Sequence, residues 1–243
     1  MTSRAPLMVL AVCVSLAAAV LALAPLPLPR GPLIGAVVCA GLAGGVVWRM
    51  RQDRDLARAA GALGLRVVEP SRPGIAGPAL VLRIPTLQGT FEGREVRVED
   101  ASRWGLGRGA MAWEEMRVGL RGGSLAPTRI AKRGPSTAAL LATRPTRIGG
   151  AEVRTGDPAF DAAFLVESEL PEAAQAQLTP ELRAAIIALP AFASSTGAEL
   201  ILTVGSAQLF LAARGRWRDE ATLRTDLQAM VRVAEALEAA RPA

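Results

Sequence analysis

Hydrophobic positions along the chain fall into three patterns. Residues 7–24, LMVLAVCVSLAAAVLALA, and 33–48, LIGAVVCAGLAGGVVW, are continuous apolar runs with no ionisable side chain. The first is long enough to cross a bilayer as a helix, the second with slight extension, and the PLPLPRGP between them cannot continue one. Beyond residue 49 the pattern turns helical, with Leu56, Ala59, Ala60 and Leu63 on one stripe and Gly64 as a stop. A Pro/Gly-rich stretch, EPSRPGIAGP, then leads into ALVLRIP, which reads as a strand. TLQGTFEGREVRVED alternates around Glu92-Gly93 and predicts a hairpin. AWEEMRVGLRG predicts a further strand with PTRIAKRG as its partner, while residues 134–154 carry no clear period.

The third pattern mixes both periods. FLVESEL predicts a strand, and PEAAQAQLTPELRAAIIAL predicts helix, with Thr179 as a cap and Pro180 in the first position of its second part. AELILTV and AQLFLAA form a second hairpin around Gly205-Ser206. The last helix starts near Asp219 and aligns Leu223, Leu227, Met230, Val231, Ala234 and Leu237. Strands first, then helix, hairpin and helix, predict an α+β domain with a largely antiparallel sheet behind two N-terminal transmembrane helices.

Charge gives the apolar runs a direction. Arg49, Arg51, Arg54 and Arg58 crowd the end of the second run, against Arg30 in the connector, and Trp48 stands where an interfacial aromatic belongs. The positive-inside rule then puts everything from residue 49 in the cytoplasm. A cleaved signal peptide is the alternative for the first run, with Arg4 ahead of it and ALA at 22–24. Pro25 is a poor cleavage context, so the run is read as retained, and the orientation is the same either way. The expected layout is a helical hairpin over 1–48, a juxtamembrane helix and loop over 49–78, and a cytoplasmic domain over 79–243. The expected site is the bacterial inner membrane, multi-pass. Gly41 and Gly45 have the spacing of close helix contact, which serves either the hairpin itself or a homo-oligomer. With no ionisable residue in either run, a transport or proton path within this chain is not expected.

Composition changes the picture little. The 28 Lys+Arg against 22 Asp+Glu would fit nucleic acid, but Lys132 is the sole lysine and the arginines are interleaved with acids. No single-sign block tracks phosphates, so no nucleic-acid partner is expected. The chain has no His or Tyr, and its two cysteines, Cys13 and Cys39, lie in the apolar runs. Most nucleophile–base arrangements are thereby removed, and neither cofactor nor metal is expected. GLGRGA at 105–110 faintly echoes a dinucleotide loop, but strand character follows it where a helix would be required.

Two motifs remain. Arg214, Arg216, Trp217 and Arg218 in RGRWR suit either a solvated connector or contact with anionic headgroups. TGDPAFDAAF at 155–164 holds two aspartates four apart. There Gly156 allows a turn, Asp157 is a strong N-cap, Pro158 suits the first helical position, and Phe160 and Phe164 can bury together. Asp161 would accept hydrogen bonds near that turn. GDPAFDAAFLVES, followed by the LTPELRAAI helix, resembles bacterial membrane-anchored families of unknown function. That resemblance implies architecture alone. The expected function is a membrane-anchored binding or scaffolding module, with the lipid bilayer and another membrane or cytoplasmic protein as partners. The alternative is a hydrolase or metal-dependent enzyme using Asp157 and Asp161.

Overall fold

The computed structural model describes residue 51 and, from 54 to 240, all but 70–72, 77–78, 83–84, 101–112, 123–125, 135–149, 195–199, 215–216 and 218. The chain divides into Met1–Gln52 and Asp53–Ala243. Both apolar runs, with Trp48 and Arg49, lie outside the described residues. Among the described residues no helix is long and apolar enough to cross a membrane.

The second unit is an antiparallel sheet with packed helices, an α+β fold. Helix α1 (54–62) leads through Gly64 into β1 (Leu65–Glu69). Among the described residues, strands β2 (Pro73–Ala76) and β3 (Ala79–Leu82) pair with each other in a separate two-stranded sheet. β4 (Thr86–Phe91), β5 (Arg94–Asp100) and β6 (Trp113–Gly119) form a meander, followed by β7 (Thr128–Lys132) and the short β8 (Ala151–Glu152). Next come α2 (Pro158–Ala163), β9 (Phe164–Ser168), α3 (Pro171–Gln177), α4 (Pro180–Ile187) and α5 (Pro190–Ser194). The hairpin β10 (Leu200–Val204) and β11 (Gln208–Arg214) precedes the long α6 (Glu220–Ala239).

Nine strands join in the order β1-β4-β5-β6-β11-β10-β7-β9-β8. The turn between β4 and β5 has positive φ at both Glu92 and Gly93, the conformation that matches the twist of a two-residue hairpin. β7 does not pair with β6. The C-terminal hairpin sits between them, β11 on β6 and β10 on β7, while β9 takes the other side of β7. The physical reason is polarity. β10 reads LILTV and is buried at every position but Thr203, so it needs cover on both faces and takes the middle of the sheet. The β6–β7 pairing expected from sequence is therefore corrected.

One face of the sheet carries the main core. Val96, Val98, Met116, Val118, Leu202, Leu209 and Leu211 are buried there with Leu227, Met230 and Leu237 of α6. A smaller cluster of Ala131 and Ile201, with Leu165 against it, is separate from that core. Leu56, Ala60, Leu63 and Leu65 belong to the main core, so α1 and β1 are parts of the domain, which extends further toward the N-terminus than the expected start at residue 79. β1 is an outer strand. Its pairing with β4 is interrupted between Val67 and Glu69, a bulge of the kind that discourages further pairing at a sheet edge.

Candidate functional site

The two-aspartate segment folds as a clamped helical turn. Gly156 has φ +81, the left-handed conformation that reverses the chain after Val153. Asp157 is in extended conformation, and its Oδ1 accepts from the backbone N–H of Ala159 at 3.0 Å and Phe160 at 3.2 Å. Pro158 occupies the first helical turn, where a missing N–H costs nothing. Asp161 turns back on the entry loop. Its Oδ1 accepts from the Thr155 N–H at 3.0 Å and from the Thr155 hydroxyl at 2.9 Å. The rings of Phe160 and Phe164 stack at 4.8 Å, and Phe192 meets Phe164 edge-on at 5.1 Å.

Distant arginines complete the clamp. Arg133 Nε donates to the carbonyls of Asp161 at 2.9 Å and Phe164 at 3.1 Å, satisfying oxygens that a helix end leaves orphaned. Its Nη2 pairs with Glu152. Arg183 on α4 donates to the Leu178 carbonyl and stands 3.4 Å from Asp157 Oδ2, an ion pair whose geometry falls short of a hydrogen bond. A local sequence signal for either arginine does not exist, because each comes from more than twenty residues away.

The electrostatics fit a structural role. Burial pushes the Asp161 carboxyl up, but the Thr155 N–H and hydroxyl, the Gly156 N–H and the nearby Arg154 together outweigh it and hold it below its ordinary value. A carboxylate held ionised in this way is a weak base and no acid near neutral pH. Among the described residues no group of three or more Asp, Glu, His or Cys is arranged to hold a metal ion. The two carboxylates do not converge on a common point by any described contact.

The tryptophan of RGRWR lies elsewhere. Trp217 is fully buried; its indole N–H donates to Asp226 Oδ2 at 2.9 Å and its backbone N–H to Glu114 Oε2 at 3.0 Å. Glu114 and Asp226 are fully buried too. The expectation of lipid contact does not hold for Trp217, because an indole enclosed between β6 and α6 offers no ring face to a bilayer. Arg216 and Arg218 lie outside the described residues, as does the side chain of Arg214. Arg51 and Arg54 are exposed.

A second long-range tie was not visible in the sequence. Arg94, at the start of β5, is 3 % exposed and forks onto Glu238 in the last turn of α6 at 2.8 and 2.7 Å. It also donates to the Gly119 carbonyl, and the Arg121 N–H donates to the same glutamate. The hydrogen bond from Arg94 holds the Glu238 carboxyl below its ordinary value against the opposing effect of burial. An acid at a helix C-terminus is disfavoured by the helix dipole, so this pairing offsets a local penalty.

No family model matches the chain, and no curated protein matches it. Among solved structures its fold is similar to the crystal structure of the mycobacterial trehalose monomycolate transport factor A, TtfA. The two share 12% identity with a TM-score of 0.53, over 79% of this chain and 97% of that one. At that identity the likeness is one of fold.

Proposed function

We propose that the chain is a membrane-anchored module whose cytoplasmic α+β domain binds or scaffolds a protein partner at the bacterial inner membrane. The observation that supports it most is the fold likeness to a transport factor, which takes in 97% of that crystallised chain. The two apolar runs and the arginines that follow them support the anchor and its orientation. The motif that would serve a hydrolase or metal enzyme instead spends Asp157 and Asp161 on backbone amides. That alternative draws no support from the geometry.

Fractionation tests the reading. The full chain should stay with the membrane pellet through alkaline carbonate, and a reporter fused after Ala243 should be active only in a form that works in the cytoplasm. Release by carbonate, or signal from a periplasm-only reporter, overturns it. Saturable binding of a divalent cation, lost in both Asp157→Ala and Asp161→Ala, would restore the enzyme alternative.

A further inference from the structure

Helix α1 has one face that the domain uses and one that it does not. Leu56, Ala59, Ala60 and Leu63 are buried, at 2%, 6%, 0% and 5% exposure. Arg54 and Arg58, one helical turn apart, are exposed on the opposite side with Gly61 and Ala62. Asp55 stands 3.1 Å from Arg58, offsetting one charge, with both side chains largely in solvent. Past Gly64, Arg66 is exposed, and so are Val67 at 39% and Val68 at 46%, two of only four large exposed apolar side chains among the described residues. An amphipathic helix that lies on a membrane turns its apolar side to the lipid, but here that side is committed to the domain core. On the outward side of the described helix Arg54 and Arg58 outnumber Asp55 by one, and the two exposed valines lie beyond it on β1.

We infer that the outward arginine stripe of α1 docks on anionic lipid headgroups, an electrostatic contact that fixes how the domain faces the bilayer. The inference rests on the membrane-anchored reading above. Three observations select lipid as the occupant. The second apolar run ends at Trp48, only six residues before Arg54, so a tether of that length reaches about 20 Å at most. The stripe carries the sign that anionic headgroups attract. The apolar face of α1 is occupied, so the helix itself attaches by charge.

The test uses the full chain, reconstituted in vesicles of phosphatidylcholine alone or of phosphatidylcholine with phosphatidylglycerol. In a Cys13→Ala, Cys39→Ala background, a fluorophore is placed through Ala62→Cys on the outward side of α1, or through Gln228→Cys on the exposed side of α6. A headgroup-attached quencher should quench position 62 more than position 228 in anionic vesicles, and high salt should remove the difference. Arg54→Gln with Arg58→Gln should lower the docked-to-free ratio on the order of thirtyfold, at about 1 kcal/mol per arginine, and Arg54→Lys with Arg58→Lys should retain most of it. Equal quenching at both positions, quenching unchanged in neutral vesicles, or no loss in the glutamine variant overturns the inference. Carbonate extraction of the same samples separates the two failures. A chain that stays in the pellet without quenching at position 62 refutes the docking alone; a chain that is released refutes the anchor as well.

Discussion

The TGDPAFDAAF segment and the Trp217 knot are both polar constellations around aromatic rings, yet they are built in opposite ways. In the first, most contacts join residues within six positions: Asp157 to Ala159 and Phe160, Asp161 to Thr155. Its carboxylates are partly exposed. In the second, Trp217 reaches Glu114 across the sheet and Asp226 on α6, and all three are fully closed off from solvent. A local set of partly exposed polar contacts costs little to form and tolerates loss of one polar member. A buried one takes polar groups out of water, and removing one partner leaves the others without the bond that compensates them.

The sharpest way to break that contrast is Trp217→Ala. It should cost on the order of 5 kcal/mol, the large-to-small cavity cost raised by the lost hydrogen bond to Asp226. Trp217→Phe fills most of the space but lacks the indole N–H, so about 1 to 3 kcal/mol should remain lost. Denaturant melts of the full chain in detergent read both, and a Phe variant as stable as the parent would show that the indole bond contributes nothing.

Phe160→Ala comes next, with an expected loss of about 3 to 5 kcal/mol because the ring is fully buried and stacked on Phe164. An unchanged melting midpoint would mean the clamp contributes no packing.

The Arg94–Glu238 tie stands between the two constellations, long in sequence but only partly closed. Glu238→Gln should cost about 2 kcal/mol, since the charged fork is replaced by a neutral one. It also carries a pH signature. The folded-state carboxyl of Glu238 lies below its ordinary value, so its contribution is present above the unfolded pKa and is lost as pH falls through the folded one. The difference in stability between parent and Glu238→Gln should accordingly shrink on acidification and stay flat near neutrality. A difference that grows toward low pH would contradict the pairing.

Asp157→Ala is the smallest effect, about 1 kcal/mol, and Asp157→Asn or Asp157→Ser should recover most of it by keeping the capping oxygen. A function assay that fails in Asp157→Asn, with the melt unchanged, would move this aspartate from structure to chemistry.

How much of this was legible in the sequence follows the same division. The cap at Asp157, the proline after it, the Glu92-Gly93 turn and the apolar stripe of α6 each depend on neighbours within a few residues, and spacing alone reveals them. The arginine fork from residue 94 to 238, the enclosure of Trp217 and the separation of β6 from β7 depend on which strands meet. Arginines flanking a tryptophan read equally as a surface patch until the sheet order places that indole under α6. β1 escaped notice for a related reason. LRVVE lacks alternation, and its bulge leaves both valines outside, so no two-residue period marks it.

The central position of the β10–β11 hairpin has a consequence in time. Synthesis proceeds from the N-terminus, so the chain emerges with β4 to β7 complete while the pair that must lie between β6 and β7 is still to be made. Until then β6 and β7 each lack the neighbour that this hairpin supplies in the folded sheet. Pairings so distant along the chain are slow to form, because a long loop must close before any contact rewards it. Newly made copies therefore pass through an interval, ended by the arrival of that hairpin, in which the edges of β6 and β7 are open to pairing with another chain.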